Sequence, residues 1–253
     1  MRTSAAVLGL GAALLQLTSG CIPLGGCGGV DPTDTFNFAL SPDGATTVGA
    51  GIAGIAGDAS GIWVATPVAG GVELTRFADL DTAPDRTLTF ATAEHAHAGL
   101  AWDGAALWLA LTDDAGATHA VRIDTTTGDA LADVALPTGT TDLAWDNGLG
   151  QLVVAEGVAA VEGVDPATGL IARSIPVRAV EAIGAIAWGG ELWTASTTAD
   201  DPLLVYYTGD TLYATAPAPT SDIATHMTFM PTANGSDLVM VVGGELRRYT
   251  VAR

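Results

Sequence analysis

The chain repeats one short segment five times along its 253 residues: an apolar strand, a turn rich in Gly and Asp, and a second apolar strand. Clear copies are GLAWDGAALWLA (Gly99–Ala110), LAWDNGLGQLVVA (Leu143–Ala155) and IAWGGELWTA (Ile186–Ala195). When the copies are aligned, one position of the second strand holds Trp63, Trp108, Val153, Trp193 and Val239, at intervals of 45, 45, 40 and 46 residues. Segments that recur at a near-constant interval indicate a fold built from similar units.

Each repeat has the length and the pattern of a four-stranded blade of a β-propeller. The second copy contains four strand-like runs, AGLAW, LWLALT, HAVRID and ALADVAL, separated by turn residues. LWLALT is apolar at nearly every position, so both of its faces must be covered, as they are when blades pack face to face. A closed ring of sheets leaves no apolar face in water. The sequence therefore predicts an all-β fold, a β-propeller of four-stranded blades.

A second aligned position, at the end of the first strand, is occupied by Gly57, Trp102, Trp145, Trp188 and Phe229. The two positions together hold all six Trp of the protein. Tryptophans that serve packing should recur with the repeat, whereas a ligand-binding Trp would break its register. We therefore predict that all six indoles lie in the core.

The two ends of the chain decide the number of blades. The last copy, ATHMTFMPTANGSDLVMVVGGELRRYTVAR, supplies three strands and then stops. Near the other end lies an unassigned strand-like run, DTFNFAL (Asp34–Leu40), followed by the turn-like SPDG. We expect this N-terminal strand to complete the last blade as its outermost strand. The prediction is five four-stranded blades in a domain that spans 34–253; a sixth blade would need a partial repeat hidden in Asp34–Ala53.

The hairpin between the third and fourth strands carries a motif of its own. RIDTTTGDALADVAL (Arg122–Leu136) and GVDPATGLIARSIPV (Gly163–Val177) share Asp-x-x-Thr-Gly, in which Asp can bond the amides ahead of it and Gly closes the turn. This pattern resembles the repeats of bacterial propellers of the YVTN and quinoprotein-like types. The resemblance implies the architecture and no single function. Val134 and Ile175 lie near the position where quinoprotein repeats typically have Trp, so we expect no quinone and assign no cofactor.

The first 21 residues differ from the rest of the chain. MRTSAAVLGLGAALLQLTSGC has an apolar run, Ala5–Leu15, that is too short to span a bilayer and is typical of a secretion signal. Its end resembles a bacterial lipoprotein signal, although Leu17 lies four residues before Cys21 and Thr18 occupies the usual Leu position. The resemblance implies that 1–20 is a signal peptide and that Cys21 is lipidated; ordinary secretion is the alternative.

The same resemblance implies a location in the cell. Residues 21–33, CIPLGGCGGVDPT, would form a flexible tether behind a lipid anchor in a membrane of the bacterial cell envelope. Ile22 is not the Asp that resembles an inner-membrane retention signal, which favours the outer membrane. With Cys21 used as the anchor, Cys27 has no second cysteine to pair with, so no intramolecular disulfide is expected.

Net charge disfavours one class of partner. The chain has 28 acidic residues against nine basic ones, all of them Arg, and a formal net charge of −19. That charge repels phosphate backbones, so we expect no nucleic-acid partner. Acidity also serves solubility. We expect a monomer whose partner, besides the membrane that holds its anchor, is a protein, a glycan or a small molecule.

The polar residues that could bind a ligand fall on one predicted face. In a propeller, the loops between the second and third strands and the loops between blades share one face, and all four His of the chain map there. The candidate ligand-binding residues are His95, His97, His119, Asp142, Asp222 and His226; the same loops hold Glu94, Asp113, Asp114, Glu181, Asp200 and Asp201. Imidazole and carboxylate groups can bind a divalent transition metal. The spacing is not diagnostic, however, and a polar ligand surface is the alternative, so we assign no metal.

No catalytic motif accompanies these residues. The sequence has no Gly-x-Ser-x-Gly, no phosphate-binding Gly loop and no His-Glu-x-x-His, so we assign no catalytic residue. The leading hypothesis is a lipid-anchored propeller of the cell envelope that acts as a non-enzymatic binding or scaffold module through this loop face. The alternative is an envelope lyase or hydrolase that uses a His/Asp site at the channel mouth. Convergence of the His side chains would favour the enzyme.

Overall fold

The structure is a computed structural model that describes residues 36–37, 39–48, 51–157, 161–175, 177, 183–197, 203–207, 211–216, 223–232 and 235–252. These residues belong to one unit, Pro32–Arg253. The predicted signal peptide, Cys21 and the tether lie outside the described residues and stay predictions. Within the described part of the chain, no helix is long and apolar enough to cross a membrane.

The described residues form 21 strands. In chain order these are β1 (Phe36–Asn37), β2 (Ala39–Thr47), β3 (Gly54–Gly57), β4 (Ile62–Val68), β5 (Gly71–Phe77), β6 (Arg86–Ala91), β7 (His95–Trp102), β8 (Leu107–Thr112), β9 (Thr118–Ile123), β10 (Ala130–Ala135), β11 (Thr140–Asp146), β12 (Gln151–Glu156), β13 (Val161–Val164), β14 (Ile171–Ile175), β15 (Ile183–Trp188), β16 (Leu192–Ser196), β17 (Leu203–Tyr207), β18 (Thr211–Ala216), β19 (Ala224–Thr232), β20 (Gly235–Val242) and β21 (Glu245–Ala252).

The strands form five sheets, which we call blades 1 to 5. Four consecutive antiparallel strands build each of the first four blades: β3 to β6, β7 to β10, β11 to β14 and β15 to β18. Blade 5 consists of β19, β20, β21 and β2. The first strand of each blade packs against the first strands of the blades on either side, so the five inner strands form a closed ring. The predicted all-β propeller of five four-stranded blades is confirmed.

The ring has two faces, which the direction of the inner strands defines. Each inner strand begins at the upper face, where β7 starts with His95, and ends at the lower face, where β7 ends with Trp102. Because neighbouring strands alternate in direction, the hairpins with the Asp-x-x-Thr-Gly motif lie at the lower face. In one of them, the Asp124 carboxylate accepts the N–H groups of Thr126 and Thr127 at 2.6 and 3.2 Å, and Gly128 has a φ of 81°. The turn chemistry predicted for this motif is confirmed.

An N-terminal strand closes the ring, as predicted, but its position along the chain differs from the prediction. The closing strand is β2 and not Asp34–Leu40: it pairs antiparallel with β21, from Ala39 opposite Ala252 to Thr47 opposite Glu245. The segment SPDG is part of this strand and not a turn. A bulge between Pro42 and Gly44, where the pairing register shifts, accommodates it. An outer-edge strand tolerates proline and a bulge, which a central strand would not.

The preceding strand, β1, joins a different blade. Phe36 lies opposite Ala214 in a parallel pair with β18, the outermost strand of blade 4. The N-terminal segment therefore adds one strand to blade 4 and then the last strand to blade 5. Since β1 and β2 run in the direction of the fourth strand of a blade, both begin at the lower face.

Half of the tryptophans lie in the core as predicted. Trp63, Trp108 and Trp193 are at most 3% exposed and pack between blades. The other three pack against the edge of the core and are only partly buried: Trp102, Trp145 and Trp188. These indoles lie at the ends of inner strands, where the neighbouring blades no longer cover both faces of an indole.

The buried indoles of blades 1 and 2 each belong to a hydrogen-bonded group of three side chains. In blade 1, Trp63 Nε1 and Arg76 Nε both donate to Asp58 Oδ2, at 3.0 and 2.5 Å. In blade 2, the same arrangement joins Trp108, Arg122 and Asp103, with distances of 3.0 and 2.6 Å. Burial opposes ionisation of Asp58, but the bonds from Arg76, the Ser60 amide and Trp63 hold its pKa below the usual range. The buried carboxylate is thereby fully satisfied at the lower end of its blade.

Candidate functional site

Two of the predicted ligand-binding residues, His95 and His97, lie at the upper end of β7 and are exposed to solvent. His95 Nε2 is 3.6 Å from Asp114 Oδ1, and both side chains are largely in water. A contact of this length between exposed groups contributes little to stability and fixes neither ring.

The third predicted residue, His119, is held between two carboxylates on the outer part of blade 2. Its Nδ1 lies 2.7 Å from Asp133 Oδ1, and its Nε2 lies 2.9 Å from Glu94 Oε2. Burial would lower the pKa of His119, but the hydrogen bonds with Asp133 and Glu94 outweigh it, so the pKa is raised. Both ring nitrogens are occupied, which leaves no lone pair for a metal.

The fourth histidine, His226, is buried in the centre of the ring. Its Nδ1 lies 2.9 Å from Asp142 Oδ1, and the other carboxylate oxygen of Asp142 accepts the Ile186 N–H at 2.9 Å. His226 and Asp142 are 4% and 1% exposed. Burial raises the pKa of Asp142, and the charge of His226 and its hydrogen bond offset only part of that rise. The pair connects the inner strands of blades 3, 4 and 5.

The reason these two side chains meet is visible in the repeat. The equivalent position of the five inner strands holds Gly54, Gly99, Asp142, Ala185 and His226. Three blades thus contribute Gly or Ala, which leaves room at this level of the ring for one carboxylate and one imidazole. Gly99 shows how tight the fit is, because a Cβ there would lie 2.7 Å from Asp142 Oδ1.

The structure therefore brings together only part of the predicted set. Asp142 and His226 form one pair, whereas His95, His97 and His119 lie on blade 2; Asp222, together with Glu181, Asp200 and Asp201, falls outside the described residues. Among the residues that the structure describes, no group of three or more His, Cys, Asp or Glu could hold a metal ion. An Asp–His pair is the arrangement a general base needs, but this one is enclosed by protein.

A cavity of about 360 Å³ opens at the lower face, below the Asp142–His226 pair. Its inner wall is formed by small or apolar residues of the inner strands, including Ala101, Ala144, Leu143 and Met227. Its mouth is lined by four aromatic side chains, Trp102, Trp145, Trp188 and Phe229. We call it the aromatic cavity. The volume lies within the usual range of small-molecule sites.

Sequence reasoning missed this cavity although it found the residues. The aromatic position at the end of each first strand was recognised as part of the repeat. Blade 1 differs from the others by having Gly57, and a Cβ at Gly57 would lie 1.8 Å from the Phe229 carbonyl oxygen. The Gly57 N–H donates to Thr228 Oγ1 at 2.9 Å. This close approach of blades 5 and 1 excludes a fifth aromatic ring.

A second cavity, of about 930 Å³, adjoins the aromatic cavity and shares Phe229, Pro231 and Ser236 with it. We call it the acidic cleft, because three carboxylates line it beside one guanidinium, that of Arg248. They belong to Asp43, Asp79 and Asp237, at 3.1, 3.0 and 3.9 Å from Arg248 nitrogens. Burial raises the pKa of Asp237, Arg248 lowers it, and Asp43 and Asp79 raise it further. The carboxylates outnumber the one cation, so the cleft is negative.

No protein-family model and no curated protein matches the chain. Solved structures do: the glutaminyl cyclase of Myxococcus xanthus is similar over 86% of this chain and 98% of its own, with 13% identity and a TM-score of 0.67. The Dos1 propeller is similar over 83% of this chain and 55% of its own (12% identity, TM-score 0.45), and a chain of a mitotic checkpoint complex over 80% and 78% (16% identity, TM-score 0.47). At 13% identity, the likeness to glutaminyl cyclase shows the propeller fold alone.

Proposed function

We propose that this protein is a non-enzymatic binding module that holds a small organic ligand in the aromatic cavity at its lower face. The observation that carries the proposal is the row of three partly buried indoles, Trp102, Trp145 and Trp188, around the mouth of a cavity of about 360 Å³. A tryptophan left in partial contact with water loses part of the hydrophobic free energy that full burial would give. A bound ligand that covers these rings recovers it.

The predicted use of the upper face has less support. The histidines expected to form a site there are exposed, occupied by carboxylates, or buried, and they lie apart. Their role in ligand binding stays a prediction. The lower face instead has a cavity lined by four aromatic side chains, with a volume in the usual range of small-molecule sites.

The alternative function, an envelope lyase or hydrolase, would rest on the Asp142–His226 pair. A general base must reach the proton that it abstracts within hydrogen-bond distance. Neither residue lines the aromatic cavity, and His226 is 4% exposed. At 13% identity, the similarity to a glutaminyl cyclase shows the fold and favours neither function. The binding module is therefore the function that the geometry supports best.

The proposed location is the bacterial cell envelope, with a lipid anchor at Cys21. It is supported by the signal-like segment 1–20 and the Gly-rich residues that follow Cys21. Growth of expressing bacteria with an alkyne-labelled palmitate should label the protein, and Cys21→Ser should abolish the label. Cys27→Ser is the matched control and should keep it. A labelled Cys21→Ser variant, or an unlabelled parent, would refute the anchor without affecting the binding proposal.

Binding in the aromatic cavity can be tested with the indole N–H signals in NMR spectra of the purified full-length protein. The probes are choline, its neutral isostere 3,3-dimethyl-1-butanol, and methyl β-D-glucopyranoside. At least one probe should shift the signals of Trp102, Trp145 and Trp188, assigned by single Trp→Phe variants, while the buried Trp63 and Trp108 signals change little. If all three probes leave these signals unchanged, the cavity is not a small-molecule site.

A further inference from the structure

We propose that the aromatic cavity selects an organic cation, a ligand with a substituted ammonium group; this inference rests on the proposed binding function and narrows it to one chemical class. Three sets of observations support it. They are the aromatic mouth, the negative charge beside it, and the small number of groups in the wall that could recognise a sugar or an anion.

The aromatic mouth suits a cation because the faces of indole and phenyl rings carry a negative quadrupole, and Trp binds cations best. Three of the four rings are indoles: Trp102, Trp145 and Trp188. The chain itself uses one of them in this way, since the guanidinium carbon of Arg173 lies 5.2 Å from the centre of the Trp188 ring. Arg173 is in turn bonded to Asp146, with 2.6 Å between Nη2 and Oδ2, so its charge is neutralised within blade 3.

Charge at the lower face also favours a cation. The acidic cleft shares Phe229, Pro231 and Ser236 with the aromatic cavity and contributes three carboxylates against one guanidinium. Asp79 is half exposed, and so its charge is open to a ligand as well as to Arg248. The formal net charge of −19 adds a long-range attraction for cations and a repulsion for anions.

The other lining groups offer little to a sugar or to an anion. Four polar side chains besides the indoles line the aromatic cavity: Asp58, Asn147, Thr228 and Ser236. Asp58 already accepts bonds from Trp63 and Arg76, and Thr228 accepts the Gly57 N–H. Besides the indole N–H groups, that leaves Asn147, Ser236 and the O–H of Thr228, whereas a site for a sugar needs hydrogen-bond partners for most hydroxyl groups. Recognition must therefore come mainly from ring faces and charge.

The experiment is isothermal titration calorimetry of the full-length protein at low salt, with choline and 3,3-dimethyl-1-butanol as probes. The two have nearly the same shape and differ by one positive charge. We expect choline to bind at least about tenfold more tightly than the alcohol. Raising the salt to about 0.5 M should weaken choline binding and leave alcohol binding nearly unchanged.

Variants locate the effect. Trp145→Leu should reduce choline affinity by about tenfold, and Trp145→Phe, which keeps a ring and protects folding, should reduce it less. Asp79→Asn should weaken choline binding severalfold and leave the alcohol unaffected. Asp114→Asn, a fully exposed aspartate at the upper face, is the matched control for charge and should change nothing.

The outcomes separate this inference from the function on which it rests. If the alcohol binds as tightly as choline, or the glucoside binds and choline does not, the cavity is a binding site but not one for cations. If choline binds and neither Trp145→Leu nor Asp79→Asn weakens it, the site lies elsewhere and the inference is wrong. If no probe binds, both the inference and the proposed function fall.

Discussion

At the scale of single residues, the side chains with the greatest consequence are Asp142 and His226, which fill the centre of the ring. Removing one member of a buried hydrogen-bonded pair leaves the other polar group without a partner, at a cost of about 1 to 3 kcal/mol, and the lost imidazole leaves a cavity as well. We expect His226→Ala to lower the free energy of unfolding by about 3 kcal/mol or more, measured by urea denaturation. His95→Ala, which removes an exposed imidazole, is the control and should stay within about 0.5 kcal/mol. A change below about 1 kcal/mol for His226→Ala would mean that the pair does not support the fold.

His119 should make stability depend on pH near neutrality. Its pKa in the folded protein is raised above the usual 6.5 by Asp133 and Glu94. A raised pKa means that the folded state binds the proton more tightly, so the stabilisation is complete below pH 6.5 and is lost as pH rises through the folded pKa. The amount by which the unfolding free energy of the parent exceeds that of His119→Gln should therefore fall between about pH 6 and pH 9. At pH 6 this difference should be less than about 1 kcal/mol, because the carboxylates are partly exposed. A difference that is constant over this range would contradict the assignment.

Sequence reasoning identified many of these residues but not their relations. Asp142 and His226 were both in the predicted set, yet their contact depends on Gly54, Gly99 and Ala185, whose small size matters only once the ring is closed. The indoles were recognised as part of the repeat and assigned to the core. The exposure of each indole depends on the width of the channel and on the close approach of blades 5 and 1 at Gly57. Neither of these distances can be read from a sequence pattern.

At the scale of elements, blade 3 shows how one repeat compensates for the loss of its indole. Val153 replaces the Trp, and Gly163 stands where blades 1 and 2 have Arg76 and Arg122, directly opposite that position. The cation comes instead from the outermost strand, as Arg173, which reaches Asp146. A Cβ at Gly163 would lie 2.8 Å from Arg173 Cγ and 2.6 Å from Gln151 Oε1. Position 163 must therefore be glycine, because the Arg173 side chain passes directly over it.

This compensation predicts an energetic coupling between two residues of blade 3. Gly163→Ala should destabilise the protein by about 1 to 3 kcal/mol, because Arg173 must leave its path across the glycine. In an Arg173→Ala background the same change should cost less, by about 1 kcal/mol, since only the contact with Gln151 remains. Thermal unfolding of the four variants of this double-mutant cycle measures the difference. Additive effects would show that the glycine is needed for another reason.

The sequence predicts that an N-terminal strand closes the ring, but it places that strand a few residues too early in the chain. Pro42, Asp43 and Gly44 are turn formers, and sequence patterns assign such residues to loops. At the outer edge of blade 5, however, only one side of the strand is hydrogen-bonded, and a bulge accommodates them within β2. The pairing of β1 with blade 4 had no signal in the sequence, because two residues are too few to show a period.

At the scale of the whole molecule, the ring depends on pairing between segments about 200 residues apart. Leu40 and Val251 are direct partners in β2 and β21. The double variant Leu40→Cys/Val251→Cys should form a disulfide spontaneously in an oxidising buffer and raise the unfolding free energy by up to about 5 kcal/mol. Leu40→Cys with Thr138→Cys, whose second site lies between blades 2 and 3, is the control and should not cross-link. Mass spectrometry of tryptic peptides separates the new bond from any that involve Cys21 or Cys27.

Since β1 and β2 both start at the lower face, the chain joins its propeller on the side that holds the aromatic mouth. An anchor at Cys21 would leave 15 residues, at most about 50 Å of chain, between the lipid and Phe36. The N-terminal segment thus enters the domain on the same side as the aromatic cavity, and the exposed histidines of β7 lie at the opposite face.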